Sequence, residues 1–392
     1  MIGLVINVSN IISPLCYSLI RVEPYTSCSY NCIYCYARWR RESILKVEAD
    51  FEAVSTFKSM AEKVERLGVK PIPARLSTIS DPFQPCEAKY KLSLKVLDLA
   101  LRYKYPIIVN TKGLLLLRER WLKKLKMLAD ESLVVVQISL STLDGEVAKI
   151  IEPNAPPPDL RLKAIEELSS KNIPTAIRIS PYIPGLSLKP NPEVTVKMLS
   201  KSGVRHLIVE SLRIEASRVK DFYRFVGLSP PDMEAYSFRL EKGTPPIVKP
   251  KLEVKLGEYI KLRSILKDYG ITFASCKEGL FSLHTSDDCC GFYMLKEYAK
   301  RPTLYEFYLM ALKQPLSLKE ALEKLHCLPS NYIFNEKLKT YPRILRKPLK
   351  SREKRLIRAL SNPQILQKLT PELVVEADEK LRAEPLKFPQ KL

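Results

Sequence analysis

The chain has 392 residues, 46% of them hydrophobic, so it is long enough to bury a substantial core in two or three domains. Its formal net charge of +21 favours a polyanionic partner such as nucleic acid, although a thermophile-like or simply well-solvated surface is the alternative. Nine cysteines at irregular spacing argue against a secreted disulfide framework and favour a metal site in a cytoplasmic protein.

The first twenty residues are apolar and carry no charge, yet they lack the basic start of a signal peptide. Asn7, Asn10 and Pro14 interrupt the stretch, so we expect no membrane span there. The sequence predicts a buried N-terminal strand and loop over residues 1–17.

Strand-like and helix-like segments alternate between residues 18 and 212. Apolar runs predict strands over 18–23, 74–79, 106–110, 133–139, 175–179 and 205–209. Helical spacing predicts helices over 51–67, 89–103, 118–129, 160–170 and 193–202. Successive βα units predict an α/β fold, a partial (β/α)6-type barrel with functional residues at the carboxyl ends of its strands.

The regular alternation ends after residue 212. Proline-rich stretches at 229–231 and 243–246 indicate linkers, followed by a predicted helix over 252–269 and a strand over 271–275. Residues 332–392 read as a basic, mostly helical tail, so the fold has an α-rich C-terminal extension. The predicted division is 1–17, 18–212, 213–331 and 332–392.

Three cysteines follow the first predicted strand of the alternating region. Cys28, Cys32 and Cys35 have C-x3-C-x2-C spacing, and cubane iron–sulfur clusters normally take one cysteine per iron. Three ligands would leave one iron of a four-iron cluster open to a substrate or cofactor. The alternatives are three unrelated thiols or a zinc site, which would need a fourth ligand although the first histidine is His206.

This motif, with Tyr34 just before the third cysteine, resembles that of the radical S-adenosylmethionine (SAM) superfamily. The resemblance implies a [4Fe–4S] cluster on Cys28, Cys32 and Cys35, with S-adenosylmethionine on the open iron. It also implies reductive cleavage of S-adenosylmethionine to a 5′-deoxyadenosyl radical that abstracts hydrogen, and an electron donor such as ferredoxin or flavodoxin. The expected fold becomes a partial radical SAM barrel.

A narrower resemblance over roughly residues 20–190 is to the photolyase-like DNA-repair group related to spore photoproduct lyase. It rests on the order of short pieces, among them residues 80–85, 110–112 and 142–144. It implies that the S-adenosylmethionine contacts are Tyr34, Ser80, Lys112, Ser139 and Arg178. The alternative for Tyr34 is an aromatic side chain of the core, and the alternative for Arg178 is a residue that braces the barrel. For Glu152 and Arg161 the alternative is a structural ion pair.

One departure concerns the return of hydrogen to the product. Spore photoproduct lyase has a cysteine two residues before the serine that corresponds to Ser80, and Thr78 stands there in this chain. A hydroxyl is a much poorer hydrogen-atom donor than a thiol. Cys86 is a candidate replacement, and repair of spore photoproduct itself is not expected.

A second group of cysteines lies outside the predicted core. Cys276, Cys289, Cys290 and Cys327 form a candidate auxiliary cluster or metal site, a second one in this chain. The alternatives are buried thiols or a disulfide.

Basic segments occur at Arg38, Arg40 and Arg41 around Trp39, along the helix near residues 118–126, and in the tail around 343–358. With the net charge, they favour a DNA or RNA substrate and a lyase, lesion-repair or base-modifying activity. The alternatives are radical modification of a protein or small metabolite, and a non-catalytic iron–sulfur binding or electron-transfer protein.

Overall fold

The computed structural model describes residues 5–6, 13–35, 37, 46–236 and 245–387. In these residues the strands are β1 (Val5–Ile6), β2 (Ile20–Val22), β3 (Ala74–Leu76), β4 (Ile107–Thr111), β5 (Val134–Ser139), β6 (Thr175–Tyr182), β7 (His206–Ser211), β8 (Ile214–Glu215), β9 (Met233–Ala235), β10 (Ile247–Pro250), β11 (Thr272–Ser275), β12 (Leu316–Ser317), β13 (Leu373–Val375) and β14 (Lys380–Ala383). The α-helices are α1 (Phe51–Arg66), α2 (Glu87–Tyr90), α3 (Leu92–Arg102), α4 (Glu119–Asp130), α5 (Gly145–Ile151), α6 (Pro158–Ser170), α7 (Pro192–Lys201), α8 (Val219–Phe225), α9 (Leu252–Asp268), α10 (Leu304–Ala311), α11 (Leu318–Lys324), α12 (Arg343–Leu360) and α13 (Pro363–Leu369).

One eight-stranded sheet organises the chain, in the order β1-β2-β3-β4-β5-β6-β7-β11. β1 is antiparallel to β2, and the strands from β2 to β7 and β11 are parallel to their neighbours. Each crossover between parallel strands passes through at least one helix, so the predicted α/β class is confirmed. In the described part of the chain β2 and β11 do not pair, and the sheet stays open.

The predicted core strands and helices occur in the structure, with shifts of a few residues at their ends. The predicted helix over 89–103 is two helices, because Lys91 has a φ of 54° and interrupts the hydrogen-bonded ladder. The predicted strand over 271–275 is β11, which adds a seventh parallel strand beside β7. The division at residues 17, 212 and 331 stays a prediction.

Two small antiparallel sheets were not predicted from the sequence. They have the strand orders β8-β10-β9 and β12-β14-β13. The second lies in or next to the tail, so that region is helical only in part. Strands of two to four residues are too short to show a period-2 pattern, which explains the difference.

The parallel strands are buried on both faces. Val134, Val135 and Val136 of β5 have no exposed surface, as expected for a sheet with covering layers on each side. Trp121, Leu125 and Leu128 are the buried residues of α4. Among the described helices, none combines the length and the apolar character that a membrane crossing needs.

Buried carboxylates hold the loops at the carboxyl end of the sheet. Glu23, just after β2, accepts hydrogen bonds from the backbone nitrogens of Thr78 (2.7 Å) and Ile79 (2.9 Å). Asp81 accepts from the backbone nitrogen of Lys112 (2.7 Å) and from Thr111 Oγ1 (2.6 Å). The loops after β2, β3 and β4 are therefore fixed to one another.

Gly113 follows Lys112 at a close approach between two of these loops. A Cβ atom there would clash with the carbonyl oxygen of Phe83 and would lie 2.7 Å from Tyr30 Oη. We predict that Gly113→Ala lowers the free energy of unfolding by about 1–3 kcal/mol, the usual range for overpacking. Denaturant unfolding measures it.

Gly145→Ala is the matched control, because a Cβ at Gly145 would have no atom within 4 Å. Equal stability of the two variants would show that the Lys112 loop is not packed as tightly as described.

Candidate active site

The loop that carries the three-cysteine motif is fastened on both sides of Cys28. The Gln84 side chain accepts a hydrogen bond from Ser29 N and donates one to Ser27 O, each at 2.9 Å. Further along, Ile33 N donates to Ile151 O at 3.0 Å. The thiols are therefore held against the loops after β3 and β5.

The thiols of this motif lie close to one another, with Cys32 buried and Cys28 and Cys35 partly exposed. Burial raises the pKa of Cys28, and the negative charges of Asp81, Cys32 and Cys35 raise it further. Burial also raises the pKa of Cys32 to about 12, against the lowering effect of the Lys112 ammonium. Deprotonation of Cys28 and Cys32 therefore needs a positive partner, which a bound metal supplies.

Lys112 follows β4 and places its cation beside Cys32. Its Nζ donates to Ser139 Oγ at 2.9 Å and lies 3.8 Å from Glu152 Oε1. The Tyr34 ring centroid lies 5.8 Å from the same nitrogen. Burial alone would lower the pKa of Lys112, but Glu152 and Cys32 outweigh it and the pKa is raised.

Glu152 is the buried carboxylate at the centre of this group. It forms an ion pair with Arg161 and accepts hydrogen bonds from Tyr34 Oη and from Ser141 Oγ, the last at 2.7 Å. Burial would raise its pKa, but Arg161, Lys112 and the two hydroxyls lower it to about 2. The ion pair between Glu152 and Arg161 therefore exists, and Glu152 also anchors Tyr34.

The predicted cofactor contacts lie in three places. Tyr34, Lys112 and Ser139 lie together. Ser80 Oγ instead lies 3.1 Å from Glu23 Oε2 and 2.8 Å from Ser77 Oγ, one residue before Asp81. The fifth predicted contact, Arg178, lies in a separate polar layer on the sheet.

That polar layer was not predicted as a unit, although Arg178, Cys276 and Cys290 within it are candidate site residues. Arg178 Nη2 lies 2.6 Å from Glu210 Oε2 and 3.7 Å from Cys276 Sγ. Arg75 Nη2 lies 3.0 Å from Cys290 Sγ, and both arginines donate to Gln137 Oε1 at 3.3 Å. The available signal was a long polar side chain within mostly apolar strands, namely Arg75 in β3, Gln137 in β5 and Glu210 in β7.

Three of the four cysteines of the candidate auxiliary site meet at this layer. Cys289 Sγ lies 3.7 Å from Cys290 Sγ. Hydrogen bonding from Cys289 lowers the pKa of Cys276 and of Cys290, with Arg178 and Arg75 contributing, while the pKa of Cys289 is raised. Cys327 is exposed, and none of the contacts described for the other three involves it.

The structure gathers no His, Cys, Asp or Glu side chains around a single metal position, in groups of three or more, within the residues it describes. A cubane cluster needs a different arrangement, because each thiolate binds a separate iron.

Cys86, the candidate hydrogen-atom donor, is half-buried and precedes α2. Burial and the Glu87 carboxylate raise the pKa of its thiol to about 11. The predicted basic group Arg38, Arg40 and Arg41, with Trp39, lies outside the described residues.

Comparison with known proteins adds a family to this geometry. Residues 22–194 match the model of the Radical SAM superfamily. The matched radical SAM segment contains the cysteine loop, Lys112, Ser139, Glu152 and Arg178. It ends before Cys276, Cys289 and Cys290.

The relatives found by sequence are uncharacterized proteins. One from Mycobacterium tuberculosis is 27% identical over 172 residues, which are 42% of this chain and 50% of the relative. One from Methanocaldococcus jannaschii is 27% identical over 173 residues, which are 42% of this chain and 61% of the relative. The chain thus matches about half the length of the first relatives.

A solved structure of a spore photoproduct lyase variant with dinucleoside spore photoproduct superimposes with a TM-score of 0.52 at 11% identity. The superposition covers 66% of this chain and 77% of that one. At this identity the likeness supports the α/β fold of the radical SAM segment.

The residues present fit the cofactors that the radical SAM match implies. Three thiols on a fixed loop are soft ligands suited to iron. The Lys112 ammonium, 14% exposed, stands beside them with hydroxyl groups that suit a polar ligand.

We predict that Glu152→Gln lowers the free energy of unfolding by about 3–5 kcal/mol at pH 7, because it leaves Lys112 and Arg161 buried without their counter-charge. Since the folded pKa is depressed to about 2, the carboxylate stabilises the fold above its ordinary pKa, and this contribution is lost as the pH falls towards 2. The difference from the unsubstituted protein should therefore shrink between pH 7 and pH 3 in denaturant titrations.

Glu146→Gln is the control, since Glu146 forms an exposed ion pair with Lys149 and should change stability by less than about 1 kcal/mol. A Glu152→Gln effect that is the same size at both pH values would contradict the charge network.

Proposed function

We propose that this protein is a radical SAM enzyme that cleaves S-adenosylmethionine reductively and uses the resulting radical to abstract hydrogen from a substrate. The observation that carries the proposal is the Lys112 ammonium, held 2.9 Å from Ser139 Oγ and beside Cys32 within the segment that matches the superfamily. Cys28, Cys32 and Cys35 are the proposed cluster ligands. The proposed cofactors are therefore a [4Fe–4S] cluster and S-adenosylmethionine.

When bound, the cluster supplies the electron that cleaves the sulfonium to methionine and a 5′-deoxyadenosyl radical. The protein's part is to bind and orient. An ammonium group has three donors, and among the described contacts Lys112 uses one hydrogen bond, to Ser139. Donors thus remain for a carboxylate, and Glu152 at 3.8 Å keeps the ammonium in place without saturating it.

Tyr34 is the proposed neighbour of the cofactor on the cysteine loop. Its hydroxyl is held by Ser141 Oγ at 2.8 Å and by Glu152, so the ring cannot turn freely. Ser139 bridges Lys112 and the carbonyl oxygen of Ser180, which lies 3.3 Å from its hydroxyl. Ser80 and Arg178 are proposed as outer contacts, because Glu23 and Glu210 already engage them.

We propose nucleic acid as the substrate class, with lesion repair or base modification as the reaction. The net charge of +21 and the exposed cations of α12 support it. Modification of a protein or a small metabolite is the second candidate.

Thr78 is not proposed as the hydrogen-atom donor, because a hydroxyl is a much poorer donor than a thiol. Its hydroxyl is hydrogen-bonded to Arg21 at 2.9 Å and to Glu23 at 3.1 Å.

The auxiliary metal site stays a proposal. Its proposed ligands are reduced to Cys276, Cys289 and Cys290, because Cys327 is exposed. Their thiols contact one another and two arginines, which stabilise thiolate charge. A second cluster there would serve electron transfer or substrate binding.

The test is formation of 5′-deoxyadenosine by the anaerobically reconstituted protein with S-adenosylmethionine and dithionite. We expect product from the unsubstituted protein and none from Cys32→Ala, which loses a cluster ligand. Lys112→Met should retain iron but weaken S-adenosylmethionine binding about 10-fold or more, because a charged hydrogen bond to the carboxylate is lost. Binding is measured by equilibrium dialysis.

Lys63→Met on exposed α1 is the control and should match the unsubstituted protein. If the unsubstituted protein held its cluster but formed no 5′-deoxyadenosine, the enzyme proposal would be contradicted. The electron-transfer protein would then be the remaining alternative. Iron analysis of the same samples separates one cluster, at about four irons per chain, from two, at about eight.

A further inference from the structure

Helix α12 presents two contrasting faces. Leu345, Leu349, Leu356 and Leu360 are buried and anchor the helix to the rest of the protein. The opposite face carries exposed cations, at Arg343, Arg346, Lys347, Lys350, Lys354 and Arg358. The helix is thus fixed by its apolar side, and the cationic side is held on a rigid support.

The exposed side chains border a groove of about 640 Å³. Seven of its eight lining residues are arginine or lysine, the eighth is Ser351, and no acidic residue contributes. The single acidic residue of α12, Glu353, accepts a hydrogen bond from Asn335 N at 2.9 Å, and it is not among the lining residues. We call this surface, from Arg343 to Arg358, the basic groove.

The cations of the basic groove lack the carboxylate partners that other surface lysines have, although Arg346 Nε donates to Tyr341 O at 2.6 Å. Lys126 pairs with Asp130 on α4, Lys149 with Glu146 on α5, and Lys339 with Glu336. Within the part of the chain that the structure describes, none of the six exposed cations of the groove forms an ion pair with a carboxylate. Like charges four residues apart on a helix destabilise it, so this arrangement carries a cost in the free protein, which the nearby Glu353 offsets for Lys350.

We propose that the basic groove binds the phosphate backbone of a nucleic acid. From Arg343 to Arg358 the helix rises about 22 Å, at roughly 1.5 Å per residue. That length faces about six phosphates of a strand at roughly 3.4 Å each. Among the residues that the structure describes, no aromatic side chain lines the groove, so it supplies sequence-independent affinity rather than base recognition.

This inference rests on the proposed function for the nature of the substrate, and it adds where that substrate is held. The groove lies on a helix outside the radical SAM segment of residues 22–194. It is therefore built by residues other than those that match the superfamily model.

Fluorescence anisotropy with a labelled 20-nucleotide single-stranded DNA, an RNA of the same sequence and a 20-base-pair duplex tests the proposal. The triple variant Lys347→Glu, Lys350→Glu, Lys354→Glu should bind at least one of these probes about 30-fold more weakly than the unsubstituted protein. The slope of log Kd against log salt should fall by about 2–3, since each lost phosphate contact removes about 0.9.

The matched control is Lys58→Glu, Lys63→Glu, Arg66→Glu, which changes the net charge by the same amount at three exposed positions of α1. It should bind within about 3-fold of the unsubstituted protein, the small loss coming from overall charge. Circular dichroism and thermal unfolding of both variants verify that each is folded.

Equal losses in the two triple variants would overturn the proposal, because overall charge would then account for binding. So would unchanged binding in the groove variant, or no binding of any probe by the unsubstituted protein. The proposal would also be overturned if the groove variant lost binding to phosphatidylserine vesicles and kept its binding to the nucleic acid probes. The groove would then be a membrane-binding surface. Cleavage of S-adenosylmethionine is assayed on the unsubstituted protein, so a failure of the proposed function is seen separately.

Discussion

The buried charge group of Glu152, Arg161 and Lys112 is the constraint on which the candidate site depends. One carboxylate faces two cations, and Arg161 Nη1 also donates to the carbonyl oxygen of Ser139 at 2.7 Å. Through Tyr34 the same carboxylate holds the cysteine loop. The group therefore joins the carboxyl ends of β4 and β5 to the loop after β2.

Lys112, one of the two cations of this group, lies beside Cys32. Its charge lowers the cost of forming a thiolate there, as its effect on the pKa of Cys32 illustrates. A desolvated site with fixed cations is suited to an anionic cluster and to a ligand carboxylate. The chemistry proposed for the protein thus follows from an arrangement that is also structural.

Much of the fold was predictable because its signals are local and strong. The apolar runs of β4 and β5 are long, and α1 and α4 have clear helical spacing of their apolar residues. The three thiols are recognisable by spacing alone. Lys112 and Ser139 were placed correctly at strand ends, since residues there share one edge of a parallel sheet.

The remaining features depend on contacts between distant parts of the chain. Gln84 and Asp81 belong to the motif that suggested the family, yet their side chains fasten backbone at Ser29 and Lys112. No local pattern shows that Arg75 meets Cys290, 215 residues away. Cys327 looked equivalent to its three partners in sequence, and only burial separates it from them.

The most direct test of the account is iron-edge anomalous diffraction from crystals of the anaerobically reconstituted protein with S-adenosylmethionine. The account predicts iron bonded to the sulfur atoms of Cys28, Cys32 and Cys35, and the methionine carboxylate of the cofactor within hydrogen-bond distance of Lys112 Nζ. Iron absent from those three sulfur atoms, or a cofactor carboxylate held away from Lys112, would contradict it.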